Sequence, residues 1–265
     1  MPEVFIAPEP GEEPFDRHPQ IGDEHKAFAR QGNDSLSFPF LAGRIELSVR
    51  LTARPLFDLR RRTRIGVHVS RILSCATAPS GPFGGARPRL EPADIQKLDT
   101  ATLHQAVRIL RPGDPGAIVV PVCWSTVASS RGRFSLLYAG LDHEPDVTRL
   151  LIEITGLTPS AEPGEISNVA SHLEAQQRGV LARVAAEPRA VARLFQSGLK
   201  GLSLDLTGLD LSEAASRETA RQLMRTSRLM AANLLVLGLP AELAEDAAHC
   251  GATHAVMEER FTVTV

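Results

Sequence analysis

From residue 117 to residue 256 short apolar runs alternate with longer amphipathic ones, and that alternation constrains the fold more than any other feature of the chain. Ala117–Cys123 is a continuous apolar run, the pattern of a strand buried on both faces. Further strands are expected at 150–154, 180–184, 201–206, 233–237 and 253–256. Helices are expected between them at 127–138, 166–177, 188–196, 212–231 and 241–249. Strands separated by helices on short linkers build a parallel sheet.

Upstream, residues 44–59 are rich in strand formers, 60–63 read as a polar turn, and 65–72 alternate apolar and polar side chains. These two runs predict a hairpin whose arginines, Arg60, Arg61 and Arg62, form a solvated tip. A Pro/Gly-rich loop is expected over 74–92, followed by a helix over 95–110 capped by Asp94, with Leu98, Leu103, Ala106, Val107 and Leu110 on one face. Counted from the hairpin there are eight strands, which gives an α/β fold of the TIM-like (β/α)8 type with an irregular start. A doubly wound open sheet is the competitor, but the glycine fingerprint of its dinucleotide-binding form is missing. No helix follows 261–265, so the barrel is expected without its last helix.

The 265 residues suit one such barrel, which typically needs about 250. Residues 1–40 are read apart from it as an acidic, Pro-rich, disordered tail, leaving 41–265 as the barrel domain. The tail holds eight acidic residues against three basic ones, a net of −5 in a chain whose total is −2, so the remainder is near +3. A balance this even gives no field to draw nucleic acid or a membrane surface, and one Trp and one Tyr leave few platforms for stacking bases. Cys75, Cys123 and Cys250 match neither a disulfide framework nor a CxxC site, which suits a reducing cytoplasm. No secretory signal and no apolar run of about 18 residues is found, so a cytoplasmic protein without membrane insertion is expected.

In a barrel of this kind the functional groups stand at the C-terminal ends of the strands. Here those positions hold His68, Cys123, Glu153, Arg183, Ser203, Asp205, Leu237 and Val256. The set is poor in carboxylates. Mg²⁺ needs several oxygen ligands converging on one point, and a two-metal site needs bridging carboxylates as well. Glu153 and Asp205 alone are too few.

Several segments are similar in order and spacing to the EAL family of cyclic-di-GMP phosphodiesterases, over roughly residues 44–260. Arg54-Pro55-Leu56-Phe57-Asp58-Leu59, the turn, and Gly66-Val67 resemble the family's opening hairpin. Leu98-Asp99-Thr100-Ala101-Thr102-Leu103-His104-Gln105-Ala106 resembles its L-D-x-x-x-L-x-x-A helix. Ile152-Glu153-Ile154-Thr155 resembles its L-E-I-T-E strand, and Gly251-Ala252-Thr253-His254 its terminal segment.

The resemblance implies where the family's working residues fall. The metal-binding glutamate of the signature motif falls on His68, the asparagine ligand on Cys123, and the paired aspartates near Ala182 and Arg183. The lysine that orients the attacking water falls on Ser203, the later glutamate on Leu237, and the terminal glutamine near Val256. Glu153 and Asp205 are retained, Gly156 replaces a second glutamate, and Arg54 stands where a glutamine contacts substrate. The resemblance therefore implies a degenerate barrel with no catalytic residue, no metal and no cofactor, whose pocket survives as Arg54, His68, Cys123, Glu153, Arg183, Ser203 and Asp205.

Three functions stay open on these residues. The first is a signalling or scaffolding protein in bacterial cyclic-di-GMP pathways that works by protein–protein contact and, as such barrels often do, dimerises. The second is a non-hydrolysing receptor for cyclic-di-GMP or another nucleotide, with Arg54, Arg71 and Arg183 against its phosphates. The third is an altered enzyme using Cys123 and His68, which also read as a plain buried thiol and a core histidine. Glu153 with Arg183 reads as an ion pair, His249 as a helix-end histidine, and Asp205, Asp210, Glu213, Ser125, Thr126, Ser129 and Ser130 as caps. Arg217, Arg221, Arg225 and Arg228 form a basic stripe, read as a solvated face that could receive the acidic tail or an acidic partner.

Overall fold

The computed structural model describes residues 35–75, 90–107, 116–141, 150–175 and 179–257. Among the described residues nine strands form one sheet: β1 (Ser35–Ala42), β2 (Ile45–Asp58), β3 (Thr63–Cys75), β4 (Ala117–Cys123), β5 (Leu150–Thr155), β6 (Gly179–Ala185), β7 (Gly201–Asp205), β8 (Asn233–Leu239) and β9 (His254–Met257). The strands pair in sequence order, and β2 also pairs with β9, so β2 to β9 close a barrel of eight strands. Among the described residues the α-helices are α1 (Pro92–Val107), α2 (Trp124–Ala128), α3 (Ser130–Leu141), α4 (Pro163–Glu174), α5 (Pro188–Ala192), α6 (Ala214–Met230) and α7 (Ala244–His249). Among the described residues no helix is long and apolar enough to cross a membrane.

The barrel is closed and mixed, in keeping with the irregular hairpin start expected from the sequence. β2 runs antiparallel to both β3 and β9, while every pairing from β3 through to β9 is parallel. The cause is local: a hairpin of four polar residues can join only antiparallel strands, so the first strand must point the other way. Asp58 closes that hairpin by accepting the backbone N–H groups of Arg60 and Arg61 on its Oδ1.

One correction concerns the tail. Residues 35–40 belong to β1, which pairs with Ile45–Thr52 of β2. The far end of β2, Phe57 and Asp58, pairs on that side with β9 instead, beyond a register shift between Leu56 and Phe57. One long strand therefore serves two structures, the barrel wall and a three-stranded extension above it. The rest of the tail, 1–34, most of the Pro/Gly loop and residues 261–265 lie outside the described residues.

Leu56, Val119, Leu181, Leu235, Leu237 and Val256 fill the barrel, with Ile65, Ala117 and Leu151 packed against them. β3 and β4 start close together, and glycine is required on both sides: a Cβ on Gly66 would strike the Ala117 carbonyl, and one on Gly116, at φ +120°, the Ile65 carbonyl. Outside the wall, Leu98, Leu103 and Ala106 of α1 are buried as the periodicity predicted. α1 begins at Pro92, earlier than the expected cap at Asp94. The single helix expected at 127–138 is two, broken at Ser129, whose extended backbone (φ −86°, ψ 138°) ends α2; its hydroxyl accepts the Gly132 N–H to start α3. The helix expected at 188–196 is shorter, ending at Ala192.

Candidate functional site

Strand register decides which of the seven candidates meet. Across parallel neighbouring strands, paired residues share a face. His68 pairs with Val119, Glu153 with Leu181, and Ser203 with Arg183 on one side and Leu235 on the other. Val119, Leu181 and Leu235 fill the interior, so His68, Glu153, Arg183 and Ser203 point inward as well.

There they form one cluster. Arg183 Nη2 donates to Glu153 Oε2 at 2.6 Å. His68 Nε2 lies 3.1 Å from the same oxygen and 3.1 Å from Arg183 Nη2. Asp205 Oδ2 is 3.9 Å from Arg183 Nη1, a longer pairing at the rim. Glu153 is fully buried, His68 nearly so, and Arg183 is 27% exposed. Burial alone would push the Glu153 carboxyl up, but the facing His68 and the Arg183 guanidinium outweigh it and hold the group at about 2. Glu153 is thus an anion matched to a fixed cation.

The cluster is not saturated. His68 Nδ1, Glu153 Oε1, Arg183 Nε and Ser203 Oγ are all buried without a hydrogen-bond partner. The Ser203 hydroxyl lies near enough to favour the Glu153 anion but makes no well-formed hydrogen bond with it. Four unused valences of both signs in one small interior region are rare in a folded protein.

A divalent metal pair of the kind the EAL resemblance implies does not fit these residues. Among the described residues no three His, Cys, Asp or Glu side chains converge on a point that could hold an ion. The Arg183 guanidinium stands between the Glu153 and Asp205 carboxylates, 2.6 Å from one and 3.9 Å from the other. Its charge repels a cation where bridging anions would be needed.

Cys123 belongs elsewhere. Its Sγ accepts from Arg71 Nη2 at 3.7 Å, and its backbone N–H donates to Asp99 Oδ2 at 2.9 Å. Burial and the Asp99 carboxylate push the thiol pKa up, against the pull of Arg71. His68 is committed to Glu153 and Arg183, so the Cys123–His68 pair of the third reading is not assembled, and a thiol that holds its proton is a weak nucleophile. Sequence reasoning missed the cluster that Cys123 joins. Asp99 is fully buried on α1 and accepts Arg71 Nη1 at 2.7 Å, Cys123 N and the Thr126 hydroxyl at 2.6 Å. Arg71 Nη1 also donates to Thr102, whose hydroxyl donates to the Leu98 carbonyl. The available signal was Asp99 inside an otherwise apolar helix stripe, with an arginine on the facing strand.

Arg54 sits on the inner face of β2 opposite His68 and makes no hydrogen bond or ion pair among the described residues. A hollow of about 440 Å³ opens at the same end of the barrel between the loops after β7 and β8, lined by residues such as Leu209, Asp210, Arg217 and Leu243. None of the seven candidates lines it. Asp205 and Asp210 each accept a backbone N–H and a hydroxyl two residues on, at Thr207 and Ser212, the turn-capping role expected of them. Glu213 stands at the start of α6 without a side-chain cap bond. The basic stripe is largely spent. Arg217 donates to the Leu211 and Ser212 carbonyls, Arg228 to the Ala231 carbonyl, and Arg221 pairs with Asp246 and Glu218.

No protein-family model matches the sequence, and no curated protein matches it. Solved structures do. An EAL domain protein from Listeria monocytogenes EGD-e superposes with a TM-score of 0.57 at 15% identity, covering 89% of this chain and 90% of that one. The PaMucR phosphodiesterase in complex with c-di-GMP gives 0.60 at 16% identity over 78% and 92%. The Bacillus subtilis YkuI protein, which has an EAL domain and was solved with c-di-GMP and calcium, gives 0.57 at 14% over 77% and 52%. At such identities the likeness establishes the fold: an EAL-like closed mixed barrel.

Proposed function

We propose that this chain is a non-hydrolysing EAL-type barrel that acts in signalling by contact with a protein partner. One observation carries the reading: the Arg183 guanidinium stands on Glu153, the buried carboxylate that the resemblance makes a metal ligand, with Asp205 at its other side. Phosphodiester hydrolysis by two metal ions needs anions that bridge cations, and an internal cation takes their place. With His68, Cys123 and Ser203 at the other working positions, neither a ligand set nor a cation to orient water remains. A barrel that keeps its fold without that set is free to serve as a binding surface.

The test is incubation of purified protein with cyclic-di-GMP and Mg²⁺ or Mn²⁺, with the products separated by chromatography. No linear dinucleotide is expected. Cleavage that disappears in Glu153→Gln would overturn the reading.

A second reading, a receptor that holds cyclic-di-GMP or another nucleotide without cutting it, is favoured by Arg54, a cation at the mouth that makes no hydrogen bond or ion pair among the described residues. Calorimetry with cyclic-di-GMP, with and without Mg²⁺, separates the two. Binding that Arg54→Ala abolishes selects the receptor, and no heat selects the protein-contact reading.

A further inference from the structure

The β1–β2–β3 extension has one closed face and one open face. Antiparallel partners project to the same side, and alternate residues to opposite sides. Leu47, Val49 and Leu51 of β2 point one way and are fully buried. Between them point Arg50, Thr52 and Arg54, whose cross-strand partners are Ser37 and Ile72, then Ser35 and Ser70, then His68. Because His68 faces the barrel interior, this second face is the mouth of the barrel continued upward. It is open: Arg50 and Ser37 are exposed, and Ile72 is 46% exposed.

We infer that this open face is a docking surface for an acidic, extended segment of a partner protein. The inference rests on the reading that the chain works by protein contact. Arg50 and Arg54 make no hydrogen bond or ion pair among the described residues. The one carboxylate on this face of the three strands is Glu46, at the turn end. Four residues apart on one strand, the two guanidinium stems leave the backbone about 13 Å apart. An extended peptide repeats same-side side chains at the same interval, so carboxylates at positions i and i+4 meet both cations. Ser37, Thr52 and Ser70 are small, and they let the peptide backbone lie close while offering hydroxyls. Ile72, beside Arg50, offers an apolar contact for a neighbouring side chain.

The alternatives fit less well. Single-stranded nucleic acid needs aromatic platforms, and Phe38 and Phe40 pair with Val49 and Leu47 on the closed face. Addition of a tenth strand to the free edge of β1 is blunted by Pro39, which has no N–H to offer in the middle of that edge. The face is available and the edge is guarded.

Fluorescence anisotropy with fluorescein-labelled octaglutamate at low salt tests this, alongside labelled octathymidylate as the nucleic-acid control. Octaglutamate is expected to bind saturably, and Arg50→Glu or Arg54→Glu to weaken it about tenfold or more, since each replaces attraction by repulsion. Arg225→Glu, which reverses an exposed arginine on α6, is expected to leave binding unchanged. Thermal melting confirms that each variant is folded; Arg50 is exposed and has no partner to lose among the described residues. The inference is overturned if octaglutamate fails to saturate, if Arg225→Glu weakens it as much as Arg50→Glu, or if octathymidylate binds more tightly. Cyclic-di-GMP cleavage would instead remove the functional reading and leave the surface measurement intact.

Discussion

Two buried arginine–carboxylate clusters lie on opposite sides of the same barrel wall, and they are built differently. Outside the wall, Asp99 has both oxygens engaged, by Arg71, the Cys123 N–H and the Thr126 hydroxyl. Inside, Glu153 has one oxygen shared between Arg183 and His68 and the other unused, beside an unused arginine N–H and an unused serine hydroxyl. The outer carboxylate binds a strand, a helix and the start of the next helix into one unit. The inner one is matched in charge but not in hydrogen bonds. A saturated cluster is a structural pin. An unsaturated one sits where strands aim different side chains at a common axis, and where side-chain length rather than local backbone decides what meets.

The sharpest way to break this contrast is to cut the outer pin. Asp99→Ala leaves the partly buried Arg71 without its counter-ion and strands a backbone N–H and a hydroxyl. The loss expected is about 4 kcal/mol, since removing one partner of a buried, hydrogen-bonded ion pair typically costs 3–5. For a domain of this size that lowers the melting temperature by roughly 10 °C. Calorimetry or urea unfolding reads it directly. A loss under about 1 kcal/mol would mean that Asp99 is no pin and that the two clusters are alike.

Acid sharpens the inner half of the comparison. Glu153 is held at about 2 in the folded chain, against an ordinary 4.5. Its folded value is the lower one, so its contribution is complete above about pH 4.5 and is lost as the pH falls from there toward 2. At about 1.4 kcal/mol per unit, the two to three units amount to about 3 kcal/mol. Urea unfolding from pH 6 down to pH 2.5 should show that loss in the parent. It should be reduced in Glu153→Gln, which has no proton to take up. Parallel curves for the two proteins would show that Arg183 and His68 do not stabilise the anion.

Much of the architecture was legible because it is local. The apolar runs from Ala117 onward mark strands, and the turn at 60–63 marks a hairpin. β1 was not legible: its sequence follows a Pro-rich segment and carries Pro39, which reads as a breaker but is tolerated on an edge strand. The antiparallel closure of β2 onto β9 joins residues about two hundred apart, and no local pattern announces it. Within the site, Glu153 and Arg183 were found by their places at strand ends. Asp99 is legible only as part of a helix motif, because an aspartate on a helix looks like a surface residue until its partner 28 residues away is known. The stripe on α6 shows the converse. Its period was right, but three of its four arginines cap loops or pair with carboxylates, and no spacing rule shows that.

The finest distinction between the clusters is at the level of single hydroxyls, and it carries the smallest effect. Thr126 and Ser203 are both buried, and each has a carboxylate for a neighbour. Thr126 donates to Asp99 at 2.6 Å, whereas Ser203 Oγ has no partner. Replacing Thr126 with Val keeps the shape and removes a hydrogen bond to an ionised acceptor, for an expected loss of about 2 kcal/mol. Replacing Ser203 with Ala removes a polar atom already desolvated without compensation, so the change should lie within about 0.5 kcal/mol of zero, or favour the folded state. Equal losses would mean that Ser203 is held by a bridging water, which would close the unused valences and make the inner cluster as saturated as the outer one. An unequal pair, with the serine silent, leaves the interior of the barrel as a place where the described residues keep hydrogen-bonding capacity that they do not consume.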